Sequence, residues 1–200
     1  SLELGAGEYE DFTIEMFFYV PDLAYHEDSA VDPLARKDDS YEFYIHFRSG
    51  EPDSIFVVLP LLGIGDFFVT CDLDIGLGWH HIAAVFDNEW TETEDAVMIY
   101  LDGERIAFSP EGAYAPDWVS GLPNSLSDLE IGGVYTQGFH GYLEEVRLSD
   151  VARYTDTTYT VPTEPFLPDS ATRALWHFDE VPGTTVFEDV SSHGNDLTGY

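Results

Sequence analysis

Positive charge is what this sequence has least of. Seven Lys and Arg stand against 39 Asp and Glu, a formal net charge of -32, and Lys37 is the single lysine. A surface of that sign repels phosphate backbones and anionic bilayers, so nucleic acid and membrane surfaces are disfavoured as partners. Cysteine is nearly absent as well: Cys71 stands alone, so no internal disulfide exists. In the run Phe67-Phe68-Val69-Thr70-Cys71 it reads as a small buried hydrophobe rather than a reactive thiol. No apolar run nears the roughly 18 residues of a membrane span, and no segment has the pattern of a signal peptide. Helical periodicity is missing too, apart from a candidate turn at Ser149–Tyr154.

What is present is a core-forming chain. A hydrophobic fraction of 44% in 200 residues suits one substantial domain. The acidic residues are spread along the chain and the apolar content is ordinary, which argues against disorder. The acidity has two readings, a solvated surface suited to high salt or carboxylates that serve as ligands to a divalent cation. For any single carboxylate the first is the commoner. Either way, self-repulsion makes the fold more stable in salt than in pure water.

Period-two patterns run through the chain. Phe12, Ile14, Met16, Phe18 and Val20 share one parity; Tyr41, Phe43, Ile45 and Phe47 repeat it. Ile55 to Leu59, Phe67 to Cys71 and Ile82 to Phe86 read as strands, the last apolar on both parities. Val97 to Leu101 leads through Asp102-Gly103, a pair suited to a type I′ turn, into Glu104 to Phe108. Leu129 to Tyr135, Phe139 to Leu148, Arg173 to Phe178 and Thr184 to Val190 complete the set. Short strands punctuated by Gly, Pro and Asp predict an all-β, two-sheet antiparallel sandwich. Two longer loops remain, Ala107 to Asp128 and Tyr154 to Ser170; Phe166 and Leu167 suggest that the second packs on the surface.

Three segments together carry a family resemblance. The first is Trp79-His80-His81-Ile82-Ala83-Ala84-Val85-Phe86-Asp87 followed by Val97 to Gly103. The second is Ile131-Gly132-Gly133 followed by Phe139-His140-Gly141-Tyr142-Leu143-Glu144-Glu145-Val146-Arg147-Leu148-Ser149. The third is Ala174-Leu175-Trp176-His177-Phe178-Asp179-Glu180, then Asp189-Val190-Ser191-Ser192-His193-Gly194-Asn195-Asp196. In this order they resemble the laminin-G-like, concanavalin A-like lectin/glucanase jelly rolls. The resemblance implies a jelly roll of about 12–14 strands. It does not imply a ligand, since one fold hosts many functions. In the family the segment like Trp176–Asp196 usually opens the domain, whereas here it closes the chain. The expectation is a single domain over residues 1–200, with 171–200 supplying a closing edge strand; the alternative is that this segment begins another repeat.

Candidate chemistry follows from these motifs. Asp189, Asn195 and Asp196 bracket a Gly-containing turn, where short oxygen-bearing side chains can gather a hard cation; an ion-free Asx turn is the other reading. The resemblance adds a structural calcium near such a loop, and Asp179 and Glu180, which follow a strand, are candidate contributors. Glu144 shares parity with Val146 and Leu148, so it is expected to face the core and to need a partner, calcium among them. Adjacent strand residues point to opposite faces, so Glu144 and Glu145 cannot serve as an acid and nucleophile pair. Trp90, Tyr114 and Trp118 lie in loops where sugar rings could stack, and Tyr135 and His140 are weaker candidates beside them. Trp79 and Trp176 sit in strands and are expected in the core. The leading expectation is a non-catalytic recognition module of a larger extracellular or cell-surface protein, binding carbohydrate or a glycoconjugate. The alternatives are a protein-interaction or spacer module of an adhesin-like protein, and a divergent glycoside hydrolase or lyase. No nucleic acid partner and no membrane insertion are expected.

Overall fold

Alternation of apolar and polar residues puts Phe12, Ile14, Met16, Phe18 and Val20 on one face of the first strand, and all five are buried in the main core. The computed structural model describes residues 11–21, 31–47, 52–61, 65–87, 97–108, 125–134 and 137–199. Every regular element among them is a strand. They are β1 (Phe12–Val20), β2 (Val31–Lys37), β3 (Tyr41–His46), β4 (Asp53–Leu61), β5 (Gly65–Leu73), β6 (Gly78–Phe86), β7 (Val97–Leu101) and β8 (Glu104–Phe108). Shorter strands follow: β9 (Leu129–Ile131), β10 (Gly133–Val134) and β11 (Gln137–Gly138). The chain then forms β12 (Tyr142–Ser149), β13 (Thr172–Trp176), β14 (Val186–Phe187) and β15 (Leu197–Thr198). No helix of the described residues is long and apolar enough to cross a membrane.

Two antiparallel sheets enclose the core. The six-stranded sheet runs β13-β12-β1-β6-β7-β8 and the five-stranded sheet runs β5-β4-β3-β2-β9, while β10-β11 and β14-β15 form short ribbons. Inward residues of both sheets meet in one cluster that includes Leu34, Phe43, Ile45, Ile55, Val69, Ile82, Ile99, Val146 and Trp176. Cys71 packs against this cluster only partly buried, and burial raises its thiol pKa. Val31–Lys37 has no clean alternation and carries Pro33, which is why β2 is hard to read from sequence. The structure tolerates Pro33 because β9 pairs only with Ala35, Arg36 and Lys37, leaving the proline on a stretch with one strand neighbour. Asp102 and Gly103 have φ of 50° and 84°, the two positive values that a type I′ turn requires.

The C-terminal segment adds a strand to the six-stranded sheet. β13 pairs with β12 through Val146↔Trp176, Arg147↔Leu175 and Leu148↔Ala174. Trp176 has no solvent exposure, and its Nε1–H donates to the Asn195 carbonyl at 3.0 Å.

The outer face of the six-stranded sheet is covered in part. Residues 151–168 cross it as an irregular strap. Ala152, Tyr154 and Tyr159 pack on Ala83, Val85, Met98 and Tyr100, forming a second, smaller apolar cluster. The Tyr100 hydroxyl reaches the carbonyls of Tyr154 and Asp156 at 3.1 and 2.8 Å. Tyr159 N donates to Gly103 O at 2.8 Å, and a Cβ at residue 103 would stand 2.4 Å from Tyr159 O, so glycine is needed there for the strap as well as the turn.

Beneath the strap lies a charged network. Glu15 points outward from β1 yet has no solvent exposure. Its Oε1 accepts from Arg147 Nε at 2.9 Å and lies 2.8 Å from Nη2; its Oε2 accepts from the Tyr154 hydroxyl at 2.7 Å. Arg147 in turn stacks over the Phe166 ring at 4.1 Å. His81 Nε2 stands 3.4 Å from Glu15 Oε2, and its Nδ1 is 2.6 Å from the Tyr159 hydroxyl. Burial pushes the Tyr159 phenol up, so the hydroxyl beside His81 keeps its proton. Burial also works against the Glu15 charge, but His81, the Arg147 guanidinium and the Tyr154 hydroxyl outweigh it and hold the carboxyl below its ordinary range.

Removing one partner of such a pair leaves the other charge buried and alone, so Glu15→Ala costs about 3–5 kcal/mol. The sign with pH follows from the depressed folded pKa. The stabilisation is complete above the unfolded value of about 4.3 and is lost as pH falls through the folded one. In urea titrations, the stability gap between wild type and Glu15→Gln is therefore widest near neutral pH and closes below about pH 4; a gap that stays constant would contradict the network.

Candidate functional site

The acidic loop near the C-terminus is built on Asp189, a buried residue. Its Oδ1 accepts from the amides of Leu175 and Ser191, each at 2.9 Å. Its Oδ2 accepts from the Asn195 amide and the Ser191 hydroxyl, both at 2.8 Å. Burial opposes the charge, yet these donors from Asn195, Leu175 and Ser191 prevail and hold the carboxyl below its ordinary range. Asp196 Oδ1 accepts from Asp189 N at 3.0 Å, and Asn195 Nδ2 donates to Arg173 O at 3.0 Å. N–H groups have no lone pairs to offer a cation, and here they take up both Asp189 oxygens. Asp179 is exposed and so is Glu144. Among the described residues no group of three or more His, Cys, Asp or Glu side chains is arranged to hold a metal ion. The donors around Asp189 form the pattern of an Asx loop, one of the two readings that the spacing offers.

Glu144 is also corrected in orientation. A bulge in the β1–β12 pairing shifts register between Glu15↔Arg147 and Phe17↔Glu144, and Glu145 takes the extra residue with φ of 55°. Parity therefore reverses. Leu143 packs on the core while Glu144 faces solvent. Glu145 is the residue with partners: its carboxylate accepts from Phe166 N and lies 2.7 Å from His177 Nδ1. It ties the end of the strap to the sheet.

Of the aromatic candidates, Trp90, Tyr114, Trp118 and Tyr135 lie outside the described residues. His140 is exposed, but its ring Nδ1 and its backbone N both approach Asp32 Oδ1, at 3.1 and 3.3 Å. It secures the turn into β12.

A different aromatic group stands open to solvent. Along the outer face of β1, Thr13 and Glu15 are fully buried under the strap, whereas Phe17 and Tyr19 are only half-buried. Tyr19 is registered against Tyr142 of β12 on one side and Trp79 of β6 on the other. The ring centroids lie 5.8 and 5.3 Å apart, with planes tilted by 53° and 58°. Trp79 is 45% exposed and Tyr142 is 64% exposed. Gly141 holds this corner close, since a Cβ there would fall 2.1 Å from Tyr19 O. The expectation that Trp79 belongs to the core is corrected: it shares parity with His81, Ala83 and Val85, on the outer face. The signal was present but hidden, because the strap makes β6 apolar on both faces over residues 82–86. Trp176, by contrast, is buried as expected.

A family model of the concanavalin A-like lectin/glucanases superfamily, Laminin_G_3, matches residues 4–157. Among solved structures, the chain is similar to a putative carbohydrate binding protein from Bacteroides ovatus ATCC 8483, with a TM-score of 0.61 and 19% identity. The match covers 96% of this chain and 53% of that one, so the chain spans about half of that protein's length. A native heptameric SAP-like pentraxin from Limulus polyphemus is similar at a TM-score of 0.46 and 14% identity, covering 77% of this chain and 70% of that one. No curated protein matches.

The loop around Asp189 generates one prediction. Thermal midpoints with added calcium and with chelator coincide, whereas Asp189→Ala leaves three amides without an acceptor and costs about 2–4 kcal/mol. A midpoint that rises with calcium and falls with chelator would contradict the ion-free loop.

Proposed function

Because the chain belongs to the concanavalin A-like lectin/glucanases superfamily through its Laminin_G_3 match, we propose that it is a non-catalytic carbohydrate-recognition module of a larger extracellular or cell-surface protein. One observation carries this reading: the exposed row Tyr142–Tyr19–Trp79 on three neighbouring strands of the six-stranded sheet. Pyranose rings have apolar C–H faces and polar edges, and they stack on aromatic faces in the way that apolar surface is generally taken out of water. Three rings side by side suit more than one sugar unit. The solved structure from Bacteroides ovatus described as a putative carbohydrate binding protein is in keeping with this, at the level of fold.

The carboxylates speak for binding over catalysis. Hydrolysis of a glycosidic bond calls for two carboxyl groups flanking it. Glu145 is committed to Phe166 N and His177, while its neighbour Glu144 stands exposed beside the aromatic row.

A glycan array probed with the full chain tests the proposal. The expected result is a set of glycan hits, with Trp79→Ala weakening each by about tenfold, the effect of losing one partly buried aromatic contact. The thermal midpoint of the variant stays near wild type, since the side chain is half in solvent. Hits that survive Trp79→Ala undiminished would reject the row as the binding surface.

A further inference from the structure

The same row narrows the class of glycan, and this step rests on the carbohydrate reading above. We infer that the Tyr142–Tyr19–Trp79 row takes a single soluble chain of uncharged sugars, lying across β12, β1 and β6, with Glu144 accepting hydrogen bonds from its hydroxyls.

Charge excludes one large class. With a formal net charge of -32, the molecule as a whole repels polyanions. A uronic acid or sulfated polymer would be repelled along its whole length, and the repulsion acts before any stacking contact forms. Glu144 sharpens this locally. It is exposed on β12, two residues beyond Tyr142 and opposite Phe17 of β1. A carboxylate has only acceptor sites. Beside stacked rings it complements the hydroxyls of a neutral sugar and opposes an anionic group.

Ring geometry excludes another class. Successive rings are tilted by 53° and 58°. No flat, rigid surface can lie on all three faces together, so a crystalline polysaccharide face cannot stack on Tyr19 and either of its neighbours at once. A free chain can turn between one unit and the next and follow the tilted rings. The 5.8 and 5.3 Å steps come from the pairing of adjacent strands. The chain direction is therefore across the strands, not along them.

Affinity electrophoresis of the full chain through gels containing hydroxyethyl cellulose, xylan, galactomannan or polygalacturonate tests this, together with a pull-down on microcrystalline cellulose. The expected result is retardation by at least one neutral polymer, little changed between low and high salt. It is reduced about tenfold in Trp79→Ala, retained in part in Trp79→Phe and weakened several-fold in Glu144→Gln. Polygalacturonate is expected not to retard the protein at low salt, where the repulsion is unscreened, and crystalline cellulose not to retain it. Trp79-dependent binding to polygalacturonate would overturn the uncharged class while leaving the carbohydrate reading intact. Trp79-dependent retention on crystalline cellulose would overturn the single-chain geometry in the same way. Retardation by none of these polymers, with glycan-array hits confined to charged sugars, would also overturn this inference alone. An empty array as well would remove both it and the reading on which it rests.

Discussion

Glu15 sits on an interior strand of the six-stranded sheet with its carboxylate shut away from water, and Arg147 from the next strand is what makes that burial affordable. The two oxygens are divided between Arg147 and Tyr154, so the ion pair also fixes the first part of the strap. Arg153 extends the anchorage outward, from Ser149 Oγ at 2.6 Å to Asp169 at 2.9 and 3.0 Å. That bidentate contact with Arg153, helped by Thr172, holds the Asp169 carboxyl well below its usual range. Glu145 secures the far end of the strap through Phe166 N. The Glu15, Arg153–Asp169 and Glu145 contacts join residues at least 16 apart in sequence, so strap and sheet are ordered together.

The strap in turn divides the outer face of the sheet in two. Where it lies, residues that would otherwise be solvent-facing, among them Thr13, Glu15, Ala83 and Val85, become interior. Where it ends, the same face continues as Phe17, Tyr19, Trp79 and Tyr142 and is progressively exposed. An aromatic row in water is held in place by strands whose opposite side is full core, so the rings are presented on a rigid support. That combination of a fixed platform and an open approach is the physical basis for reading the surface as a binding site.

Much of the fold was legible because period-two patterning and turn chemistry are local signals. Phe12 to Val20, Tyr41 to Phe47 and the Asp102-Gly103 turn are where residue type and backbone geometry agree. The jelly-roll architecture, named by three motifs, is the architecture observed. Strand β2 was missed because Pro33 and its charged neighbours break alternation, and the sheet tolerates them only where β9 stops. The orientation of Glu144 was misread because a bulge reverses parity, and nothing in Leu143-Glu144-Glu145-Val146 announces the left-handed backbone at Glu145. Trp79 was misread for a tertiary reason, since only the strap's coverage tells one end of the outer face from the other. The acidic loop was legible as a loop; whether Asp189 serves an ion or its own amides depends on side-chain directions that spacing does not encode. The loop aromatics Trp90, Tyr114 and Trp118 lie outside the described residues.

The central claim is that sugars meet this protein at Trp79. Its indole N–H signal can be identified in nitrogen–proton correlation spectra by comparison with Trp79→Phe, and followed as a neutral oligosaccharide is added. The account predicts that the Trp79 signal moves in a saturable way while that of buried Trp176 stays still. A Trp79 signal that does not move, while that of Trp90 or Trp118 does, would contradict it and place the binding surface on another part of the molecule.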